Sequence, residues 1–202
     1  MRNHIKDLNI EQKYIAIFAS GPSVWRMRDE DFRYISKRSY MVGLNESPLN
    51  IDARIWSDYR VTKKLEKYYK EHEKDCVFIS RDYAFRVSIP SKIRINVDYW
   101  FEKEDTAERN YTLLTTIEVL KKYFPDKIQL IFGLDCNTHD IRRKTLDENN
   151  NIVIKEQPIY EHNLEETKKL FEEKEHRFYH NIWNCNLNSK VNIPKKHYME
   201  IL

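Results

Sequence analysis

The chain has 202 residues, a length at which one domain can close around a sizeable core without dividing, since single domains reach roughly 200 to 250 residues. Charged residues make up 33% of it, yet the net charge is only +3, a nearly balanced surface unlike the lopsided one of a strong polyanion binder. Its three cysteines, Cys76, Cys136 and Cys185, are scattered, odd in number and in no Cys-x-x-Cys pair, which argues against a disulfide scaffold or a thiolate zinc site and fits a reducing cytoplasm.

The first stretch with a clear direction is Tyr14-Ile15-Ala16-Ile17-Phe18, an apolar run of strand length that halts at Ala19-Ser20-Gly21-Pro22-Ser23. Branched and aromatic residues favour a buried strand, Gly21 permits a tight turn, and Pro22 cannot sit inside a central strand. Ser23 is the expected N-cap of a helix beginning at Val24. A strand feeding a turn and a helix start gathers unpaired backbone N–H groups at one spot, which suits a phosphate or carboxylate; an ordinary turn without a ligand accounts for the same residues. Residues 25–36 then read as a short, irregular helix or a pair of turns.

A second apolar run, 39–44, halts at Asn45, and a third, 54–56, at Ser57-Asp58. Residues 59–74 place Val61, Leu65 and Tyr68 or Tyr69 three and four apart, the stripe of a surface helix. Cys76-Val77-Phe78-Ile79 is a fourth strand closed by Ser80-Arg81-Asp82. The pattern loosens over 83–106, where Ile93, Ile95 and Val97 alternate as an edge strand or an extended loop. Residues 111–123 form a helix with Leu113, Leu114, Ile117, Leu120 and Phe124 on its apolar face, ended by Pro125. The strongest strand, from Ile128, stops at Asp135 and Asn137. A polar insert at about 136–162 is expected to lie over the site, with 147–151 as a turn between two extended pieces. A charged helix over 164–175 and a last strand, 181–185, lead into Asn186-Leu187-Asn188-Ser189.

Strands alternating with helical segments predict a single Rossmann-like α/β domain over 1–202, with a mostly parallel central sheet flanked by helices. In such sheets ligands lie beyond the carboxyl ends of the strands. Ser20, Gly21, Ser23, Asn45, Ser57, Asp58, Ser80, Asp135, Asn137, Asn186 and Ser189 should therefore converge on one crevice. Asn and Ser dominate, and they hydrogen-bond ribose, base edges and hydroxyls without adding charge; each is also a good turn former. Gly21-Pro22-Ser23 has neither the Gly-x-Gly-x-x-Gly spacing of a dinucleotide binder nor the lysine of a Walker loop. Of the histidines, His4, His72 and His176 lie in strongly polar stretches, whereas His139 and His162 sit near the site edge or in the insert, where a near-neutral imidazole can accept a hydroxyl proton. Arg142-Arg143-Lys144 is a basic cluster able to hold a diphosphate, or a solvated turn.

Taken together, Ala19-Ser20-Gly21-Pro22-Ser23, Asn45, Gly133-Leu134-Asp135 and Trp183-Asn184-Cys185-Asn186-Leu187-Asn188-Ser189 resemble the bacterial lipooligosaccharide sialyltransferases, and equally the motility-accessory-factor and phage-borne proteins with the same Gly-Pro-Ser start. The resemblance implies a CMP-linked sugar donor held by Ser20, Gly21, Ser23 and Asn45, and a histidine general base, for which His162 stands at the corresponding place. Three positions depart from the pattern: Ser20 replaces an Asn, Asn110-Tyr111-Thr112 replaces a Thr-Ser-Gly, and Cys136 replaces a phosphate-binding tyrosine. Arg142 can take over the phosphate, pairing with it bidentately. A related archaeal branch joins a diphosphate to a pterin, so fold alone does not settle the chemistry.

The function expected is a metal-independent, nucleotide-sugar-dependent glycosyltransferase with catalytic His162 and Arg142. A magnesium-dependent diphosphokinase using Asp58 and Asp135 on ATP, or a nucleotide-binding module without catalysis, is the alternative. Expected partners are the donor and an acceptor glycan or modified nucleic-acid base, with a homo-oligomer left open. The first seven residues lack the apolar core of a leader and no run reaches the roughly 18 apolar residues of a membrane span, so a cytoplasmic location is expected.

Overall fold

The computed structural model describes residues 3–45, 47, 49–69, 73–81, 97–102, 105, 111–135, 142–147, 151–156, 169, 171 and 181–202. Eight strands form one all-parallel sheet: β1 (Asn3–His4), β2 (Tyr14–Phe18), β3 (Ser39–Leu44), β4 (Ala53–Trp56), β5 (Val77–Arg81), β6 (Tyr99–Phe101), β7 (Ile128–Phe132) and, after the insert, β10 (Ile182–Asn184). Their order across the sheet is β1-β6-β5-β4-β3-β2-β7-β10. The Rossmann-like α/β expectation is met. From β2 the chain lays β3 to β6 outward on one side, then returns across the sheet to place β7 on the other side of β2.

That reversal decides where the helices go. Right-handed crossovers that travel in opposite directions along a sheet must cover opposite faces. Three helices precede the return: α1 (Pro22–Trp25), α2 (Asp29–Ser36) and α3 (Tyr59–Tyr69). Ile35 of α2 packs with Ala16, Phe18, Leu130 and Phe132 on one face, and Val61 and Leu65 of α3 pack with Trp56 and Phe78. The returning helix, α4 (Thr112–Tyr123), buries Leu114, Ile117 and Leu120 against Ile15, Ile17, Val42 and Ile131 on the other face. Strand residues thus alternate between two cores, so both faces of β2 are apolar and its sequence reads as a continuous run.

Several elements differ from expectation for identifiable reasons. The segment after Gly21 is a single helical turn followed by the separate α2, because the backbone N–H and side chain of Arg28 engage Asp31 in a capping box that starts a new helix there. Gly21, not Ser23, occupies the N-cap position of α1, with Pro22 in the first turn, the place where a missing N–H costs least. β1 and β6 were not anticipated; strands of two and three residues are too short for an alternation to register. The insert contains the two extended pieces expected, β8 (Arg142–Leu146) and β9 (Ile152–Glu156), paired antiparallel. Asp147 and Asn151 close their turn through N–H to carbonyl (3.0 Å) and N–H to carboxylate (2.8 Å) bonds, and β8 runs beside α1. The 164–175 helix lies outside the described residues apart from 169 and 171, both helical, with Phe171 in the core. No helix among the described residues is long and apolar enough to cross a membrane.

Candidate functional site

The topology reverses at β2 and β7, and the crevice of an open α/β sheet opens at such a point. Here the strand ends are stitched together. The Ala19 N–H donates to the Phe132 carbonyl (2.9 Å), extending the ladder one residue past β2. Gly133, at φ +78°, turns the chain after β7, a left-handed conformation that favours glycine. A Cβ on Gly21 would lie 2.1 Å from the Gly133 carbonyl oxygen and 2.7 Å from Asp135 Oδ2. Gly21 itself has φ −66°, so what demands a glycine is close backbone approach, not a left-handed turn.

Beyond this contact stands Asp135, buried at 7% exposure. Its Oδ2 accepts the Ser23 N–H (2.7 Å), and its Oδ1 accepts the Ser23 hydroxyl (2.5 Å) and Asn186 Nδ2 (2.6 Å). The start of α1 therefore does meet an anion, as the Gly-Pro-Ser turn suggests, but the anion is the protein's own carboxylate. Another first-turn donor, Val24 N–H, bonds the Gly21 carbonyl at 3.2 Å. Asn186 is held in turn, its N–H on Asn184 Oδ1 and its Oδ1 on the Asn188 N–H. Asn184, fully buried, donates to the Leu134 carbonyl. Ser23, Asp135 and Asn186 thus come together as a lock between β2, β7 and β10.

A second cluster forms over β3 and β4, on the α4 face. Asn45 ends β3 at φ 53°, a left-handed turn that Asn tolerates better than most residues. Arg54, buried at 3% exposure, holds that turn by donating from Nη1 to the carbonyls of Asn45 (3.0 Å) and Ser47 (2.8 Å). Thr112 Oγ1, in the first turn of α4, donates to Asn45 Oδ1 (3.2 Å) and lies 3.4 Å from Ser57 Oγ. Buried Arg81 adds a donor to the Ser57 carbonyl at 3.5 Å. Asn45 and Ser57 are thus brought together through Thr112, apart from the Asp135 lock. Thr112 was missed as a site residue, because at the head of an amphipathic helix its hydroxyl reads as a terminus feature.

The other candidates are placed differently. Ser20 is exposed. Asp58 stands just ahead of α3, its carbonyl accepting the N–H groups of Val61 and Thr62. Ser80 is fully buried and donates to the Trp56 carbonyl. Ser189 is buried, and its hydroxyl oxygen accepts the Val191 N–H (3.2 Å) within its own loop. Arg142 begins β8 beside α1. His162, His139, Cys136, Asn137 and Asn110 lie outside the described residues. His197, which the sequence did not single out, is brought to the β10 side of the edge by the C-terminal segment, with Nδ1 accepting the Met199 N–H.

Burial pushes the Cys185 thiol up to about 12, which disfavours the thiolate, the nucleophilic form. No group of three or more His, Cys, Asp or Glu residues is placed to hold a metal among the described residues. Among the described residues the edge offers the hydroxyls and amide of Asn45, Ser57 and Thr112, backed by the buried Arg54 and Arg81, on one side of the reversal and a buried carboxylate lock at it. Compared with protein-family models, curated proteins and solved structures, the chain matches none. Its class rests on architecture: a Rossmann-like α/β protein with a polar carboxyl edge.

Proposed function

We propose that the chain is a metal-independent glycosyltransferase that uses a nucleotide-sugar donor. Supporting this is one juxtaposition, the Asn45–Thr112–Ser57 cluster at the carboxyl ends of β3 and β4. Its groups both donate and accept without charge, as a ribose or the edge of a pyrimidine base requires. The donor lies along that edge, CMP-linked in keeping with the resemblance, and Arg142 of the insert pairs with its phosphate. His162 takes the proton from the acceptor hydroxyl as the sugar–phosphate bond breaks and the nucleotide leaves; the acceptor is a glycan or a hydroxylated nucleic-acid base. A magnesium-dependent diphosphokinase would need Asp135 to face a hard cation, whereas its oxygens already accept three hydrogen bonds from Ser23 and Asn186.

The test is thermal-shift screening with CMP, UDP, GDP and ATP, with and without Mg²⁺. A ligand at a hundredfold excess over its Kd adds about 2.7 kcal/mol to the folded state. A cytidine or uridine nucleotide should raise the midpoint without metal, and Thr112→Val should remove the shift. His162→Ala should abolish transfer and leave the shift intact. No response to any nucleotide overturns the nucleotide site, and a response that requires Mg²⁺ favours phosphoryl transfer.

A further inference from the structure

On the face opposite the Asn45–Thr112–Ser57 cluster, a cavity of about 410 Å³ lies between the α1–α2 connection and the C-terminal 3₁₀ turn Tyr198–Glu200. That is within the range of small-molecule sites, roughly 300–1,000 Å³. Its polar lining is biased toward donors. Arg26 contributes a guanidinium. His197 has Nδ1 committed as an acceptor to the Met199 N–H at 3.3 Å, so the neutral ring carries its proton on Nε2, a donor. Asn186 spends one amide hydrogen on Asp135 and its oxygen on the Asn188 N–H, which leaves its second amide hydrogen.

Among the described residues, the one carboxylate in the lining is already engaged: Asp31 accepts the Arg28 N–H at 2.9 Å, the Arg28 guanidinium and the Tyr198 hydroxyl at 2.8 Å. Ser23 and Arg28 also line it, their side chains engaged by Asp135 and Asp31, and Met27, Phe132 and Tyr198 supply apolar and aromatic wall. Donors set beside flat apolar surface, as Arg26 is beside Met27 and His197 beside Tyr198, call for a ligand with an acceptor-rich anion on a ring-bearing body. Phosphate fits the anion better than a single carboxylate, because its oxygens can meet a guanidinium, an imidazole N–H and an amide from different directions.

We propose that this cavity binds a phosphate monoester of a ring-bearing small molecule, the phosphate on Arg26, His197 and Asn186 and the ring against Met27 and Tyr198. It stands on the cavity alone, whether or not the opposite cluster holds a nucleotide. The probes are phenyl phosphate, inorganic phosphate and phenol, followed through the side-chain imidazole resonances of the whole chain, with the His197 signal assigned by its loss in His197→Gln. Phenyl phosphate should shift that signal saturably and bind at least tenfold more tightly than inorganic phosphate, and phenol should not shift it. Arg26→Ala and His197→Gln, confirmed folded by far-ultraviolet circular dichroism, should each weaken phenyl phosphate at least tenfold as measured by calorimetry, while Thr112→Val should not. Absence of saturable binding overturns the proposal, as does binding that either cavity variant leaves within threefold of the parent. A nucleotide response lost only in Thr112→Val would bear on the transferase assignment and not on this one.

Discussion

Replacing Asp135 by Asn tests whether the carboxylate at the sheet reversal is a structural lock or a group held ready for a ligand. In the parent its two oxygens accept three hydrogen bonds, two from Ser23 and one from Asn186. An amide has one acceptor oxygen. If that oxygen takes the Oδ1 place, the new NH₂ faces the Ser23 N–H; if it takes the Oδ2 place, the NH₂ faces Asn186 Nδ2. Either orientation leaves a donor opposed by a donor at a site only 7% exposed. A buried donor left unsatisfied costs about 1–3 kcal/mol, and hydrogen bonds to a charged group are worth about 1.5–3 kcal/mol net against about 1 for neutral ones.

The variant should therefore lose about 2–4 kcal/mol. At roughly 2–4 °C per kcal/mol for a chain of this size, the midpoint should fall by about 5–15 °C. Urea denaturation measures the loss directly, with the slope unchanged if two-state behaviour holds. A double-mutant cycle with Ser23→Ala should show a coupling of at least about 1 kcal/mol. Groups held in strained arrangements for function are commonly stabilised when removed. An Asp135→Asn protein as stable as the parent, or more so, would refute the lock and return Asp135 to ligand binding.

Gly21→Ala should cost about 1–3 kcal/mol through overpacking, since the new Cβ meets a backbone carbonyl 2.1 Å away; a denaturation midpoint unchanged from the parent would show that the β2–β7 ends can separate freely. Arg54→Met removes the donor shared by the Asn45 and Ser47 carbonyls and should speed amide exchange at Asn45 and Ser47 and weaken any nucleotide response that also fails in Thr112→Val. The Arg28 backbone N–H first, with the Tyr198 hydroxyl as a further donor, holds the Asp31 carboxyl below its ordinary value of 3.8. Its contribution is thus present above that value and lost as pH falls through the lower folded one, so Asp31→Asn should flatten the acid limb of a melting-temperature profile. Burial first, then the bond to Asp31, raises the Tyr198 hydroxyl to about 12. Its contribution is present below the ordinary value of 10 and lost between 10 and 12, and Tyr198→Phe should remove that alkaline limb.

What could be read from the sequence by itself was whatever a few neighbouring residues decide. Tyr14–Phe18 is apolar throughout because both of its faces are covered, and Ile117 and Leu120 recur at helical spacing because one stripe of α4 is buried. The Asp147–Asn151 turn is carried by side chains within the turn. Each of these is a local fact, and each element was legible. Tertiary structure alone decided which strand ends meet. Ser23 and Asp135 are 112 positions apart, and nothing in either segment states that β7 returns to lie against β2. Gly21 reads in the sequence as the residue of a tight turn; what demands a glycine there is the Gly133 carbonyl, a neighbour that exists only once the sheet is assembled. Asp135, expected in a ligand crevice or, under the alternative, on magnesium, shows its partners only once its three donors are in place. Thr112 and His197 were missed for the same reason, their local surroundings being an ordinary helix start and an ordinary C-terminal tail. A hydrogen-bonding group takes its meaning from its partners, and in a parallel sheet those partners are brought in by crossover connections from elsewhere in the chain.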